Sequence, residues 1–330
     1  MNVFEYLEVP AHLHRTEKKV VQLVKNYDEV NPKTEQGIYH KNSSFPLWGQ
    51  VKKDGVFCML VVEEGLCAMF NRTGRRMTNT KGLEDMYKMY AIHDKLPDGV
   101  YLGELCNPNV SLEVLSGCVN PNRTKPLDLD QVLVVNKMVI HFFDYLQVDE
   151  FIKGKSDSKY STRWAMLHCC LQDLNWEDSL GPEIIMITNE QELRAFAQKH
   201  IDAGEEGAVF KQDVGWLAGA KDWHQMKLVR GIHVDLECIG YEEGTGKYEG
   251  KVSNLLFRYK DGKTVKAMLG KGWTHDDAAY LFNCVTKPNH PCTPIGQIYH
   301  VYGLQPSSKN GLIRLPKVGE LRHDKTEPDF

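Results

Sequence analysis

Residues 45–62 read Phe45-Pro46-Leu47-Trp48-Gly49-Gln50-Val51-Lys52-Lys53-Asp54-Gly55-Val56-Phe57-Cys58-Met59-Leu60-Val61-Val62. Two adjacent lysines and an Asp-Gly pair separate an aromatic approach, Phe45 and Trp48, from an unbroken apolar run. A run of this length bounded by turn residues reads as a buried strand. Glu63-Glu64-Gly65 and the apolar stretch to Phe70 follow, so 56–62 and 65–70 form a hairpin. The pattern Lys-x-Asp-Gly is compatible by itself with a charged turn. Its context places Lys52 at the mouth of a pocket.

The flanking sequence is built from similar pieces. Residues 11–26 mix Val20, Val21, Leu23 and Val24 with charges and predict an N-terminal helix. Residues 138–146 are an apolar, aromatic strand. Thr188 and Gln191 match a capping box for a helix that Gly204 ends. Residues 208–211 and 224–229 are short strands. Beyond Gly231 the texture changes to short strand-like segments at 233–241, 250–259, 263–270 and 295–303, with Gly and charged turns between them. One helical stretch is inserted there, capped by Thr274 and Asp277. Short strands of this kind with one inserted helix suit a five-stranded OB-like barrel. The expected class is therefore α+β, with a mixed domain over 1–232 and a small all-β barrel over 233–330.

Composition narrows the possibilities. Of 330 residues, 42% are hydrophobic and 25% charged, which suits a globular chain able to bury a core. No apolar stretch is long enough to span a membrane, and the N-terminus has no leader pattern, so a cytoplasmic protein is expected. The nine cysteines include no Cys-x-x-Cys pair, which argues against structural zinc and for reduced thiols. The formal net charge is −4, a balance that by itself speaks against a generic polyanion binder.

Further segments follow the Lys52 stretch in order: Asn71-Arg72-Thr73-Gly74; Gly103-Glu104-Leu105; Phe142-Phe143-Asp144-Tyr145-Leu146; Glu206-Gly207-Ala208-Val209-Phe210-Lys211; Trp223-His224-Gln225-Met226-Lys227; and Arg322-His323-Asp324-Lys325, preceded by Arg314-Leu315-Pro316. This ordered set resembles the covalent nucleotidyltransferase superfamily, specifically its ATP-dependent DNA ligases. The likeness runs from about Phe45 to the last residues. The Arg-x-Asp-Lys ending followed by Pro328-Asp329 is similar to DNA ligases rather than to capping enzymes or RNA ligases. The compact layout resembles the minimal ligases of short-tailed bacteriophages and some bacteria. An RNA ligase, a GTP-using capping enzyme and a non-catalytic nucleic-acid module are the alternatives.

The resemblance implies an adenylation domain followed by an OB-fold. It also implies sealing of nicks in duplex DNA with ATP and Mg²⁺ in replication, repair and recombination, by a cytoplasmic monomer (in a host cytoplasm if phage-encoded). Lys52 is the implied nucleophile and carries AMP, and Asp54 orients it. Lys53 faces solvent or DNA. A lysine must be neutral to attack, and nearby Lys227, Arg72 and a metal ion would favour that form. Glu104 and Glu206, at the ends of apolar strands, are the implied metal ligands. Phe143 stacks on adenine while Gln50 and Val51 approach the nucleotide beside Lys52. Lys227 meets the α-phosphate, Arg72 the ribose or the nick phosphate, and Arg322 and Lys325 the β- and γ-phosphates as the barrel hinges near residue 231. Two positions depart from the family pattern. Leu102 stands where an Asp is usual, and Gln225 where a lysine is usual.

Local charge revises the composition argument. Residues 247–271 carry Lys247, Lys251, Arg258, Lys260, Lys263, Lys266 and Lys271 against Glu249 and Asp261. Strand alternation can set Lys251, Lys263 and Lys266 on one face toward phosphates. Arg75 and Arg76 extend a second cluster beside Arg72. The expectation is modest, non-specific DNA affinity that falls quickly with salt.

Overall fold

A computed structural model describes residues 1–28, 44–93, 95–174, 184–270, 272–287, 290–306 and 310–330. Lys271 lies outside the described residues. Backbone contacts divide the chain into one unit ending at Val229 and another running from Arg230 to Phe330.

The first unit holds two larger sheets, one antiparallel and one mixed, and a two-stranded ribbon of Lys155–Ser156 with Trp216–Leu217. One has the order Leu66–Asn71, Val56–Glu63, Gly99–Cys106, Val139–Leu146. Both of its faces are covered. Cys58, Leu60 and Val62 pack with Tyr87, Tyr101 and Phe142, whereas Met59 and Val61 pack with Phe70, Leu102 and Phe151. That is why the run 56–62 shows no polar alternation. The predicted hairpin is present, with Glu64 and Gly65 both at positive φ in the turn.

The other sheet has the order Lys25–Asn26, Gln225–Val229, Gly207–Lys211, Leu47–Lys52, Ile185–Ile187. Its core contains Tyr27, Leu47, Phe210 and Met226, covered by Leu193 and Ala197. Leu193 and Ala197 belong to the helix Glu190–Asp202. That helix is capped one residue later than the sequence suggests. The Asn189 side chain accepts from the Glu192 N–H, and Thr188 donates to the Glu192 carboxylate, so the cap is Asn-x-x-Glu rather than Thr188 with Gln191.

The helix expected over 11–26 does not form. The segment contains two short 3₁₀ turns, Ala11–Leu13 and Glu17–Lys19, and the strand Lys25–Asn26, parallel to Gln225–Val229. The physical reason is tertiary. Arg15 donates to the carbonyls of Lys19 and Val20 and, at 2.7 Å, to that of Ile152, taking acceptors a helix would use itself. Val20 and Val21 are buried against Val3 and Phe4 instead of lining a helical stripe.

The second unit is a closed barrel in the order Gly231–Glu243, Val252–Arg258, Thr264–Leu269, Ile313–Leu321, Ile298–Pro306. Its core centres on Leu236, Leu255, Phe257, Val301 and Val318. The inserted helix is His275–Thr286, with Thr274 and Asp277 forming the capping box read from sequence. Five strands in one closed barrel with a single helix are an OB-fold. No helix among the described residues is long and apolar enough to cross a membrane.

Candidate functional site

The site lies where the chain passes from one sheet to the other. Leu47–Lys52 ends in one sheet, and after three intervening residues Val56–Glu63 begins in the neighbouring one. Gly55 makes the crossing possible. A Cβ there would lie 2.5 Å from the Leu105 carbonyl oxygen and 2.8 Å from Glu104 Cγ, so only glycine fits against this strand. Lys52 pairs in register with Gly207, directly after Glu206. Gly207 is also required, since a Cβ would lie 2.3 Å from the Leu228 oxygen.

This geometry joins Lys52 Nζ to the Glu206 carboxylate in an ion pair. The Glu206 N–H donates to the Lys52 carbonyl at 3.2 Å, so backbone and side chain are tied together. Glu104 points at the same place from the adjacent sheet. Burial raises its pKa to about 7, with the nearby charges of Glu206 and Asp54 adding to the effect and Lys52 and Arg72 opposing it. Lys227 is shifted in the other direction. Burial lowers its pKa, Glu206 resists, and Lys52 and Arg72 push the same way as burial. Lys52, Arg72, Glu104, Glu206 and Lys227 therefore feel one another's charge. Arg72, in the turn after Leu66–Asn71, lies over the Phe57 ring at 5.2 Å.

Along Val139–Leu146, neighbouring aromatics take opposite faces. Phe142 is buried against Tyr87 and Tyr101, whereas Phe143 is half-buried with its ring 6.0 Å from that of Phe57. Gln50 is buried on the strand leading to Lys52 and accepts from Tyr160 OH at 3.4 Å; Val51 is half-buried beside it. Asp54 sits in the crossing turn, its carbonyl 4.0 Å from Cys106 Sγ.

Several assignments shift in detail. Lys53, expected to face solvent or DNA, is half-buried and forms an ion pair with Glu205 beside the Lys52–Glu206 pair. Arg76 donates to Glu84 at 2.6 Å, and Arg75 to Asn122 at 2.6 Å, so both cations are engaged within the fold. Leu102 is buried in the apolar core, and Gln225 faces Lys211 across the strand pair. On the barrel, Lys266 pairs with Glu242, Arg258 with Glu237 at 3.1 Å, and Lys263 donates to the Asn310 carbonyl at 2.9 Å; Lys251 is half-buried. The two glutamates lie on the strand neighbouring Val252–Arg258, outside the stretch whose charges look so basic in sequence. Arg322 and Lys325 are also in the barrel unit, both ion-paired with Asp235 at 2.6 Å.

Sequence reasoning assigned no role to a buried charged group behind Phe143. Arg163 clasps Asp144 through two bonds of 2.9 and 3.1 Å. Lys211 reaches the Phe143 carbonyl at 3.2 Å and lies 3.6 Å from Asp144. Burial pushes the Lys211 pKa down to about 8 against the pull of Asp144. The signal was available, since Asp144 and Lys211 each stand within a quoted motif segment.

Among the described residues no three His, Cys, Asp or Glu side chains gather as a metal cage. The donor set at Glu104 and Glu206 is two carboxylates; burial chiefly raises the Glu104 pKa, and the charge of Glu206 adds to it. One or two carboxylates completed by substrate phosphates is the usual protein share of a Mg²⁺ site, so these residues fit that ion.

No family model matches the chain. It is 24% identical over 261 residues to a protein named DNA ligase from Nitrosopumilus maritimus, a match covering 71% of this chain and 41% of that protein. The chain thus spans less than half the length of that relative. Among solved structures, one from a study of Lig E DNA ligases as a minimal DNA-binding scaffold superposes with a TM-score of 0.66 at 15% identity. That match covers 92% of this chain and 98% of the other. The ATP complex of the ATP-dependent DNA ligase of bacteriophage T7 gives a TM-score of 0.52 at 16% identity, again covering 92% and 98%.

Proposed function

Similar in sequence to DNA ligases and built on the fold of the ATP-dependent ones, the chain is, we propose, an ATP-dependent DNA ligase that seals nicks in duplex DNA. The observation that carries this reading is the Lys52 amine held at the seam of two sheets, against Glu206 and within the field of Glu104, Arg72 and Lys227.

The proposed sequence has three steps. Lys52 Nζ forms a bond to the α-phosphorus of ATP while the bond to the bridging oxygen breaks and pyrophosphate leaves. The nick 5′-phosphate then takes AMP from Lys52. The 3′-hydroxyl attacks the activated phosphate, forms the phosphodiester and releases AMP. Phosphoryl transfer of this kind relies on positioning and charge neutralisation. Glu206 orients the Lys52 amine and accepts a hydrogen bond from it. Asp54 fixes the turn that presents the amine. Lys227 faces the α-phosphate, and Arg72 the ribose or the nick phosphate. Phe143 supplies an aromatic face for adenine, with Gln50 and the Val51 backbone beside it. Arg322 and Lys325 offset the β- and γ-phosphate charge. Glu104 and Glu206 are the residues that would hold Mg²⁺, which when bound neutralises phosphate charge. Lys251, Lys263, Lys266, Arg75 and Arg76 contribute to a non-specific DNA surface, muted by the ion pairs above.

The test is incubation with ATP labelled in the α-phosphate, with Mg²⁺, followed by denaturing electrophoresis. A covalent protein–AMP band is expected, absent in Lys52→Ala. An adduct that persists in Lys52→Ala would refute the nucleophile. Adduct formation without sealing of any nicked DNA duplex would refute the substrate.

A further inference from the structure

The barrel contains an ion cluster for which the three steps above give no account. Asp235 is only 5% exposed, near the start of Gly231–Glu243. Its Oδ2 accepts from Arg322 Nη1 at 2.6 Å and lies 2.6 Å from Lys325 Nζ. Its Oδ1 is 3.2 Å from Nδ1 of His300, the residue opposite it in the barrel register. The last residues fold back along this strand. The Asp329 N–H donates to the Asp235 carbonyl at 2.8 Å, and the Asp235 N–H to the Asp329 carboxylate at 2.7 Å. Asp329 also takes Lys325 at 3.1 Å, while Asp324 takes the other edge of Arg322 at 2.9 and 2.7 Å. The terminal Phe330 ring closes the loop against Tyr259 at 5.4 Å.

Two cations thus face three carboxylates. Each direction of the Arg322 fork that this cluster engages ends on an acidic oxygen, and so does the Lys325 ammonium. Carboxylate and phosphate oxygens compete for the same donors in the same geometry. A polyphosphate reaching Arg322 and Lys325 therefore exchanges one acceptor for another, and its net gain is the difference between them. Of the three carboxylates, Asp324 is 66% exposed, so solvent already screens its hold on Arg322. Asp235 is the buried one, and the one shared by both cations.

We propose that Asp235 is a positioning residue, an internal counter-ion that stores Arg322 and Lys325 and competes with the polyphosphate of ATP for them. The proposal rests on the ATP-dependent ligase reading. It assigns Asp235 to the nucleotide step alone: the cations leave it when triphosphate arrives and return to it once pyrophosphate has gone. Asp235→Asn keeps the shape and a hydrogen-bond acceptor but removes the charge, which tilts the competition toward phosphate.

The experiment uses the full chain. Wild type and Asp235→Asn are compared for the ATP dependence of protein–AMP formation, and separately for sealing of a nicked duplex already carrying AMP on its 5′-phosphate. The expected result is an ATP KM about fivefold lower in Asp235→Asn, with sealing of the pre-adenylylated nick within about twofold of wild type. A KM unchanged or raised overturns the proposal, since a scaffold or a bystander would give those results. A parallel loss in both assays also overturns it, because a general structural defect does not distinguish the steps. Should Asp235→Asn fail to fold, wild-type protein labelled with ¹³C at aspartate carboxyl carbons decides the matter. The Asp235 signal should move on saturation with inorganic tripolyphosphate, and a stationary signal refutes the competition. Absence of any wild-type adduct would refute the ligase reading itself, whereas an adduct with an unshifted KM would refute only the role of Asp235.

Discussion

Gly55→Ala tests whether the crossing between the two sheets sets the reactive geometry. The added Cβ would meet the Leu105 carbonyl oxygen at 2.5 Å, Cys106 Sγ at 2.7 Å and Glu104 Cγ at 2.8 Å, where ordinary contact begins at 3.4 Å. The oxygen belongs to a central strand held on both sides, so relief falls on the turn, which must withdraw by about 0.9 Å. The same methyl presses on Glu104 itself. Nucleophile and carboxylate are thus displaced in opposite senses by a distance comparable to the 1 Å misplacement that costs roughly 100-fold in rate. Overpacking of this kind destabilises a fold by about 1–3 kcal/mol, which leaves a folded protein to assay. Single-turnover formation of the protein–AMP adduct at saturating ATP measures the rate, and urea unfolding measures the stability. A folded Gly55→Ala protein whose adduct rate stays within about fivefold of wild type would refute the reasoning.

Other consequences can be measured directly. The Glu104 carboxyl keeps its proton up to about pH 7 in the folded chain, against 4.5 for the ordinary group, so native stability falls as pH rises through that window. Glu104→Gln should therefore unfold at higher urea than wild type at pH 8 in EDTA, converge with it below pH 4.5, and form no adduct; equal midpoints at pH 8 would contradict the assigned burial cost. Arg163→Met leaves Asp144 buried without its main partner, and denaturant unfolding should register a loss of about 3–5 kcal/mol; a loss below about 1 would mean that the pair is dispensable. Glu242→Gln releases Lys266 from its ion pair, so binding to nicked duplex should tighten at low salt and the slope of log K against log salt should steepen by about 0.9; an unchanged slope would remove Lys266 from the DNA surface.

The sequence makes the frame of the molecule legible because its strongest signals are local. The apolar run after Gly55, the hairpin turn at Glu64-Gly65 and the Thr274–Asp277 cap all depend on neighbours in the chain, and each appears where the residues indicate. The failures share the opposite character. Residues 11–26 are helical in composition but are pinned by Arg15 bonding to Ile152, a contact 137 residues distant. Lys53 looks free in sequence because Glu205 lies 152 residues away, in the bend before Gly207–Lys211. The basic stretch 247–271 looks strongly positive because Glu237 and Glu242, which neutralise part of it, sit on a neighbouring strand. The Asp235 cluster is invisible for the same reason, since its carboxylate and its cations are joined only by the closing of the barrel. Motif residues told where charge was needed; they did not tell which charges were already balanced.

The strand order of the sheet carrying Lys52 also bears on how the protein is made. Lys52 and Glu206 are 154 residues apart in the chain, and Lys227 follows later still on the next strand. A ribosome therefore releases Lys52 long before Glu206 and Lys227. Until Gly207–Lys211 pairs with Leu47–Lys52, the nascent amine lacks its Glu206 partner and sits on an incomplete sheet edge. On the proposed ligase reading, sheet closure and competence to react with nucleotide then arrive together, late in synthesis.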